Sequence, residues 1–107
     1  MSVHLVLCSC PSRDNADRLA DILVGERLAA CVSVIANVGS VYRWQDRIER
    51  SEEALLLIKT EANRLPALTE RIRDLHPYEL PEILAVEAAG GLPAYLAWVA
   101  EQTREND

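Results

Sequence analysis

The chain has 107 residues, 50% of them hydrophobic and 26% charged, which leaves room for one soluble globular domain, 1–107, and for no second core. A net charge of −6 excludes an ordinary nucleic-acid-binding surface, because a polyanion is met by a basic stripe and the local cluster Arg43, Arg47 and Arg50 is interrupted by Asp46 and Glu49. Three cysteines argue against a closed disulfide framework, and no apolar run forms a secretory leader or reaches the roughly 18 residues of a membrane span, so a cytoplasmic protein without nucleic-acid or membrane partners is expected.

Val3 to Cys8 is a short apolar run that reads as a buried strand. Pro11 ends it, and Ser12 is a suitable N-cap for a helix with Asp14 in its first turn. Ala16, Leu19, Ala20 and Leu23 then recur at helical spacing, one apolar face reaching about Arg27. Cys31 to Trp44 is rich in strand formers (Val32, Val34, Val38, Val41, Tyr42), with a bulge or bend predicted at Asn37 and Gly39. Gln45-Asp46-Arg47 turns the chain, and Ile48 to Thr60 returns with Leu55-Leu56-Leu57-Ile58 as a fully buried segment. Leu65, Leu68, Ile72 and Leu75 give a second helix, with Pro66 tolerated in its first turn. Ile83 to Ala88 is another apolar strand, broken by Gly90-Gly91. Pro93 opens a last helix with Leu92, Leu96 and Val99 on its buried face, and the polar tail 101–107 frays.

The order βαββαβ followed by a helix predicts an α+β fold, the ferredoxin-like split βαβ sandwich. Right-handed crossovers put both main helices on one face of an antiparallel sheet. The central β-hairpin is too long for that frame. Val32 to Trp44 extends roughly 43 Å at about 3.3 Å per residue, against a radius of gyration of about 13 Å for a domain this size. The hairpin must overhang the core, and an overhanging ribbon needs partners for its edges and apolar side chains. An oligomer is therefore expected.

Cys8-Ser9-Cys10 is the first place where chemistry gathers. On a strand, residues two apart face the same side, so two thiolates there suit a soft ion such as Cu(I), or Zn(II) with added ligands. Packing is the competing explanation and the default for Cys10, since free cysteine is among the most buried residue types. His4 lies roughly 13 Å from Cys8 along a straight strand and cannot join the same site. Cys31 reads as a packing residue. His76 precedes Pro77, so its backbone is pushed into an extended conformation straight after a helix, and Pro81 does the same to Leu80. His76, Tyr78, Glu79 and Glu82 thus share a stiff connection, and imidazole with carboxylate suits a first-row divalent metal. The same stretch is equally explained as a rigid loop satisfied by hydrogen bonds. Lys59, ending a strongly apolar strand, either snorkels to the surface or offers a cationic donor. No nucleophile elbow and no HExxH pair is present, so no enzyme activity is expected.

Three phrases carry a family likeness: Arg27-Leu28-Ala29-Ala30-Cys31-Val32, running on through Tyr42-Arg43-Trp44 to Lys59-Thr60; Leu75-His76-Pro77-Tyr78-Glu79-Leu80-Pro81-Glu82-Ile83; and Tyr95-Leu96-Ala97-Trp98. Together they resemble the CutA family of divalent-cation tolerance proteins, from about Leu5 to Trp98. The resemblance implies a homotrimer whose hairpins wrap neighbouring subunits, with metal (copper or zinc, none of it obligatory) bound in or near the clefts between them. It matches Cys8 to a cysteine implicated in copper binding and His76 to a proposed ligand; Glu82, on the same stiff connection as His76, is expected to add a carboxylate to them. Some copper-binding members carry a second histidine where this chain has Leu75. A contrasting reading likens the trimer to PII-type signalling modules, with Lys59, Arg43 and Tyr78 serving a small anion or a partner protein in the cleft.

Overall fold

The computed structural model describes residues 2–105. Its elements run β1 (Val3–Cys10), α1 (Arg13–Gly25), β2 (Cys31–Trp44), β3 (Arg47–Glu61), a single 3₁₀ turn, α2 (Leu65–Leu75), β4 (Leu84–Glu87) and α3 (Pro93–Gln102). The strands form one antiparallel sheet in the order β2-β3-β1-β4. Period-two alternation decides which side is buried. Val6, Cys8 and Cys10 of β1 and Ala54, Leu56 and Ile58 of β3 point to one face, where Leu19 and Leu23 of α1 and Leu68 and Ile72 of α2 cover them. The Ser12 hydroxyl accepts from the Asn15 backbone N–H at 3.1 Å, the cap that starts α1.

The other face of the sheet is poorly covered. Ile35, Leu55, Leu57, Leu5 and Leu7 lie there with Leu84 and Val86 of β4, which remain 57% and 52% exposed. α3 shields only the end near Cys31. Its Val99 is buried outside the main core, while Leu92, expected on its buried face, is 71% exposed. The Arg27 guanidinium donates to the Gln102 carbonyl at the end of α3 at 3.3 Å, which ties the helix to that end of the sheet. The helix carries into the stretch expected to fray: Thr103 is buried and its hydroxyl donates to the Val99 carbonyl at 2.8 Å. Residues 106 and 107 of that expected tail lie outside the described residues.

The hairpin overhangs as its length requires. The molecule measures 44 × 28 × 22 Å, with a radius of gyration of 14.3 Å. At the tip, Gln45 and Asp46 both take positive φ, 50° and 64°, the two-residue turn whose twist matches the flanking strands. Nearer the core the β2–β3 register shifts between Ile35 and Val38, with Asn37 at φ 60°. That bulge lies at the expected position, and Asn is the side chain besides Gly that best tolerates left-handed backbone. Replacing Asn37 by Val should cost about 1–2 kcal/mol in urea denaturation, while Asn37→Gly stays near neutral. Equal losses in both would show that the amide side chain, and not the backbone, is what the bulge needs.

Candidate metal centre and adjoining cavity

Two segments meet at the site: the C-terminal end of β1 and the chain leaving α2. The alternation of β1 sends Cys8 and Cys10 into the core, where neither has exposed surface. α2 stops at Leu75 because Pro77 denies His76 the helical conformation; His76 sits at φ −79°, ψ 136°. The chain folds back over the end of β1, and the His76 imidazole is left only 8% exposed. Its Nε2 lies 2.7 Å from the Ser9 carbonyl oxygen, and its Nδ1 lies 3.1 Å from the Tyr78 backbone nitrogen. A backbone N–H only donates, so Nδ1 accepts and Nε2 carries the hydrogen given to Ser9.

The ligand atoms of Cys8, Cys10 and His76 all lie within 4.8 Å of one another. Two bonds of about 2.3 Å from sulfur to a common ion span about 4.6 Å, so the donor set fits one soft ion with little movement. All three cysteines are free thiols. The Cys8 thiol is pushed far up, first by its hydrogen-bonding interaction with Cys10, then by burial and by the charges of Cys10, Glu82 and Glu53. The same interaction lowers Cys10 against the effect of burial. Cys10 is therefore the sulfur that gives up its proton first, while the Cys8 thiol is directed at the Ser9 carbonyl oxygen, 3.9 Å away.

The residues expected at a site are distributed unevenly. Cys8 and His76 come together, joined by Cys10, for which packing was the default. Glu82 is exposed and outside the cluster, although its charge acts on Cys8. The Tyr78 ring packs against His76 at a tilt of 56°, with ring centroids 4.7 Å apart. Its hydroxyl donates to Glu53 Oε2 at 2.7 Å. Lys59 lies six residues from Glu53 along β3, about 20 Å away. Its Nζ donates to Ser33 Oγ at 2.6 Å and approaches Cys31 Sγ at 3.9 Å. The structure does not bring Lys59 to Tyr78. His4 points its Nδ1 into the interior without a hydrogen-bond partner among the described residues, apart from the cluster.

A cavity of about 610 Å³ opens between the hairpin and the segment after His76. Glu53, Glu79, Glu82, Tyr42, Trp44 and Tyr78 line it, and among the described residues no Lys or Arg does. Glu53 escaped the sequence reading. Its one signal was a carboxylate at the start of the apolar run Ala54-Leu55-Leu56, where alternation continues into the covered part of the strand.

This architecture is that of a small α+β domain holding a buried thiol–imidazole cluster beside an acidic cavity. The family model described as CutA1 divalent ion tolerance protein matches residues 4–102, and the chain belongs to that family. It is 46% identical over 100 residues to the divalent-cation tolerance protein CutA of Thermus thermophilus, covering 94% of this chain and 97% of that protein. It is 42% identical to mouse Protein CutA over 95% of this chain, but spans only 58% of the mouse protein. The solved structure of the divalent cation tolerance protein from Thermus thermophilus superposes with a TM-score of 0.93 at 44% identity, covering 95% of this chain and 99% of that one. Names within the family differ in compartment, from chloroplastic in rice to periplasmic in Archaeoglobus fulgidus.

Tyr78 supplies a pH signature. Burial first, and Glu53 second, raise its ionisation above the unfolded value. A group raised in the folded state contributes stability that is complete below its unfolded pKa of about 10 and is lost as pH climbs above it. Wild-type stability should therefore fall more steeply from about pH 10 to 11.5 than that of Tyr78→Phe, measured by urea denaturation. Parallel curves would remove Tyr78 from the ionisation balance.

Proposed function

We propose that this chain takes up a soft or borderline metal ion, copper or zinc, at Cys8, Cys10 and His76, as part of the tolerance role its family is named for. The observation that carries the reading is the convergence of three ligand atoms within 4.8 Å in a buried layer. Two sulfurs and an imidazole are donors that select copper and zinc over magnesium or calcium. Glu82 acts at a distance here, by its charge on Cys8, and stands as a carboxylate partner reached from the cavity side. Binding must break one existing contact, because both His76 nitrogens are already hydrogen-bonded. Such a site is structurally complete without metal, as a buffer that fills and empties requires.

The strand order supports the ferredoxin-like reading of the fold. The apolar, half-covered second face of the sheet and the overhanging hairpin support a homotrimer, since a face of this kind in a small domain is stabilised by burial against copies of itself. Free thiols at all three cysteines support a reducing compartment such as the cytoplasm. The anion-binding alternative gains nothing from the cavity, whose described walls carry carboxylates and no basic side chain.

Native mass spectrometry with copper or zinc added tests both parts at once. A trimer with one metal per chain is expected, lost in Cys8→Ser and Cys10→Ser and kept in Cys31→Ser. The sign of the pH effect follows from the thiols: metal displaces their protons, and the raised Cys8 holds its proton throughout the neutral range. Affinity should drop at least about tenfold for each pH unit lowered below neutrality. Uptake that survives Cys8→Ser, or that ignores pH, contradicts the site.

A further inference from the structure

Of the eleven Lys and Arg residues in the chain, ten are Arg and Lys59 is the one lysine. Among the described residues, no ion pair includes it. Its Nζ instead donates to Ser33 Oγ at 2.6 Å and reaches Cys31 Sγ at 3.9 Å. Cys31 and Lys59 are direct partners in the β2–β3 ladder, so both side chains rise from the same face of the sheet. The Ala30 N–H donates to the Lys59 carbonyl at 2.9 Å, which fixes the start of β2 against that point of β3. Sequence, register and side-chain contacts thus hold the lone primary amine of this chain's side chains against a thiol.

Cys31 also differs from the other two sulfurs. Cys8 and Cys10 have no exposed surface and point into the helix-covered core, whereas Cys31 is partly exposed on the opposite face. That end of the face is covered by α3 of the same chain, tied down by Arg27 at the Gln102 carbonyl. Oxidation follows exposure, so a small oxidant meets Cys31 first. The sheet itself stands between Cys31 and the other two cysteines. An oxidised Cys31 therefore has no cysteine of its own chain with which to close a disulfide, and the nucleophile held against it is the Lys59 amine.

We propose that Cys31 and Lys59 form a peroxide-driven, thiol-reversible sulfenamide cross-link between β2 and β3. Hydrogen peroxide is the oxidant. Its O–O bond breaks as one oxygen passes to Cys31 Sγ, giving the sulfenic acid and one water. The neutral Lys59 amine then attacks Sγ; the S–N bond forms, the S–O bond breaks, and the departing hydroxide takes an amine proton as a second water. Sulfur loses two electrons and peroxide gains them. A dithiol reverses the step by attacking Sγ, releasing the amine and closing to its own disulfide. Ser33 holds the amine in place. The cross-link caps Cys31 before it reaches the irreversible sulfinic acid, and it does not involve metal at Cys8.

A protease that cuts only after lysine reads the bridge directly, because it cleaves this chain once, into 1–59 and 60–107. The native protein is treated with hydrogen peroxide at mildly alkaline pH, alkylated, unfolded in urea without reductant and digested. A chain that resists cleavage, carries an unalkylated Cys31 and weighs about 2 Da less than the reduced form is expected. Dithiothreitol should restore cleavage. Cys31→Ser should be cut completely. Lys59→Arg keeps the charge but lacks the amine, so its Cys31 should run on to sulfinic acid, about 32 Da heavier. Thermal midpoints verify that both variants fold. Ser33→Ala should form the bridge about 2–10-fold more slowly, as expected for one lost positioning hydrogen bond. Complete cleavage after Cys31 has been oxidised, or resistance that persists in Cys31→Ser, would overturn the proposal. So would a Cys31 that stays reduced in the native protein under peroxide that oxidises it in the urea-unfolded chain. An unchanged rate in Ser33→Ala would overturn the role given to Ser33.

Discussion

The contact between His76 and the Ser9 carbonyl organises one end of this molecule. Pro77 makes the helix stop, but the 2.7 Å hydrogen bond decides where the chain goes next. It pins the segment after α2 across the end of β1, the strand flanked by both β3 and β4. A neutral hydrogen bond of this kind contributes only about 0.5–1.5 kcal/mol net, whereas leaving its buried carbonyl unpaired costs about 1–3 kcal/mol. Its structural reach is greater than its energy. Through it the imidazole is brought to two thiols on one side, and the Tyr78 hydroxyl is carried to Glu53 on the other.

That arrangement divides the chemistry by depth. Soft donors lie in the layer between sheet and helices, where water is excluded and the Cys8 thiol is held protonated. Hard donors, the three carboxylates, face a cavity shaped partly by the overhanging hairpin. The two regions communicate electrostatically, since Glu53 and Glu82 both raise the Cys8 thiol.

Much of this was legible in the sequence. Apolar runs marked the strands, proline at position 77 placed His76 in extended backbone, and Asn37 marked the bulge. Leu55 and Leu57, expected to be fully buried with Leu56 and Ile58, instead lie on the half-covered face of the sheet. The length of Cys31–Trp44 foretold a shape longer than a domain of this size can fill. What the sequence withheld was long-range pairing. The partnership of Cys10 with His76 depends on α2 folding back across β1, 66 positions apart in the chain (76 − 10), and no local pattern encodes it. Glu53 was hidden for the same reason: its significance comes from Tyr78, which reaches it from another element. Leu92 looked like a buried helix residue because its spacing to Leu96 and Val99 is helical, yet it is the extended residue capping α3 and stays exposed.

The central claim is that Cys8, Cys10 and His76 act together as one set of ligands. X-ray absorption spectroscopy on the copper(I)-loaded protein, at one equivalent per chain, tests it most directly. Two sulfur neighbours at about 2.2–2.3 Å and one imidazole nitrogen near 2.0 Å are predicted. A shell made only of oxygen and nitrogen ligands, with no sulfur, would place the metal among the carboxylates and contradict the account.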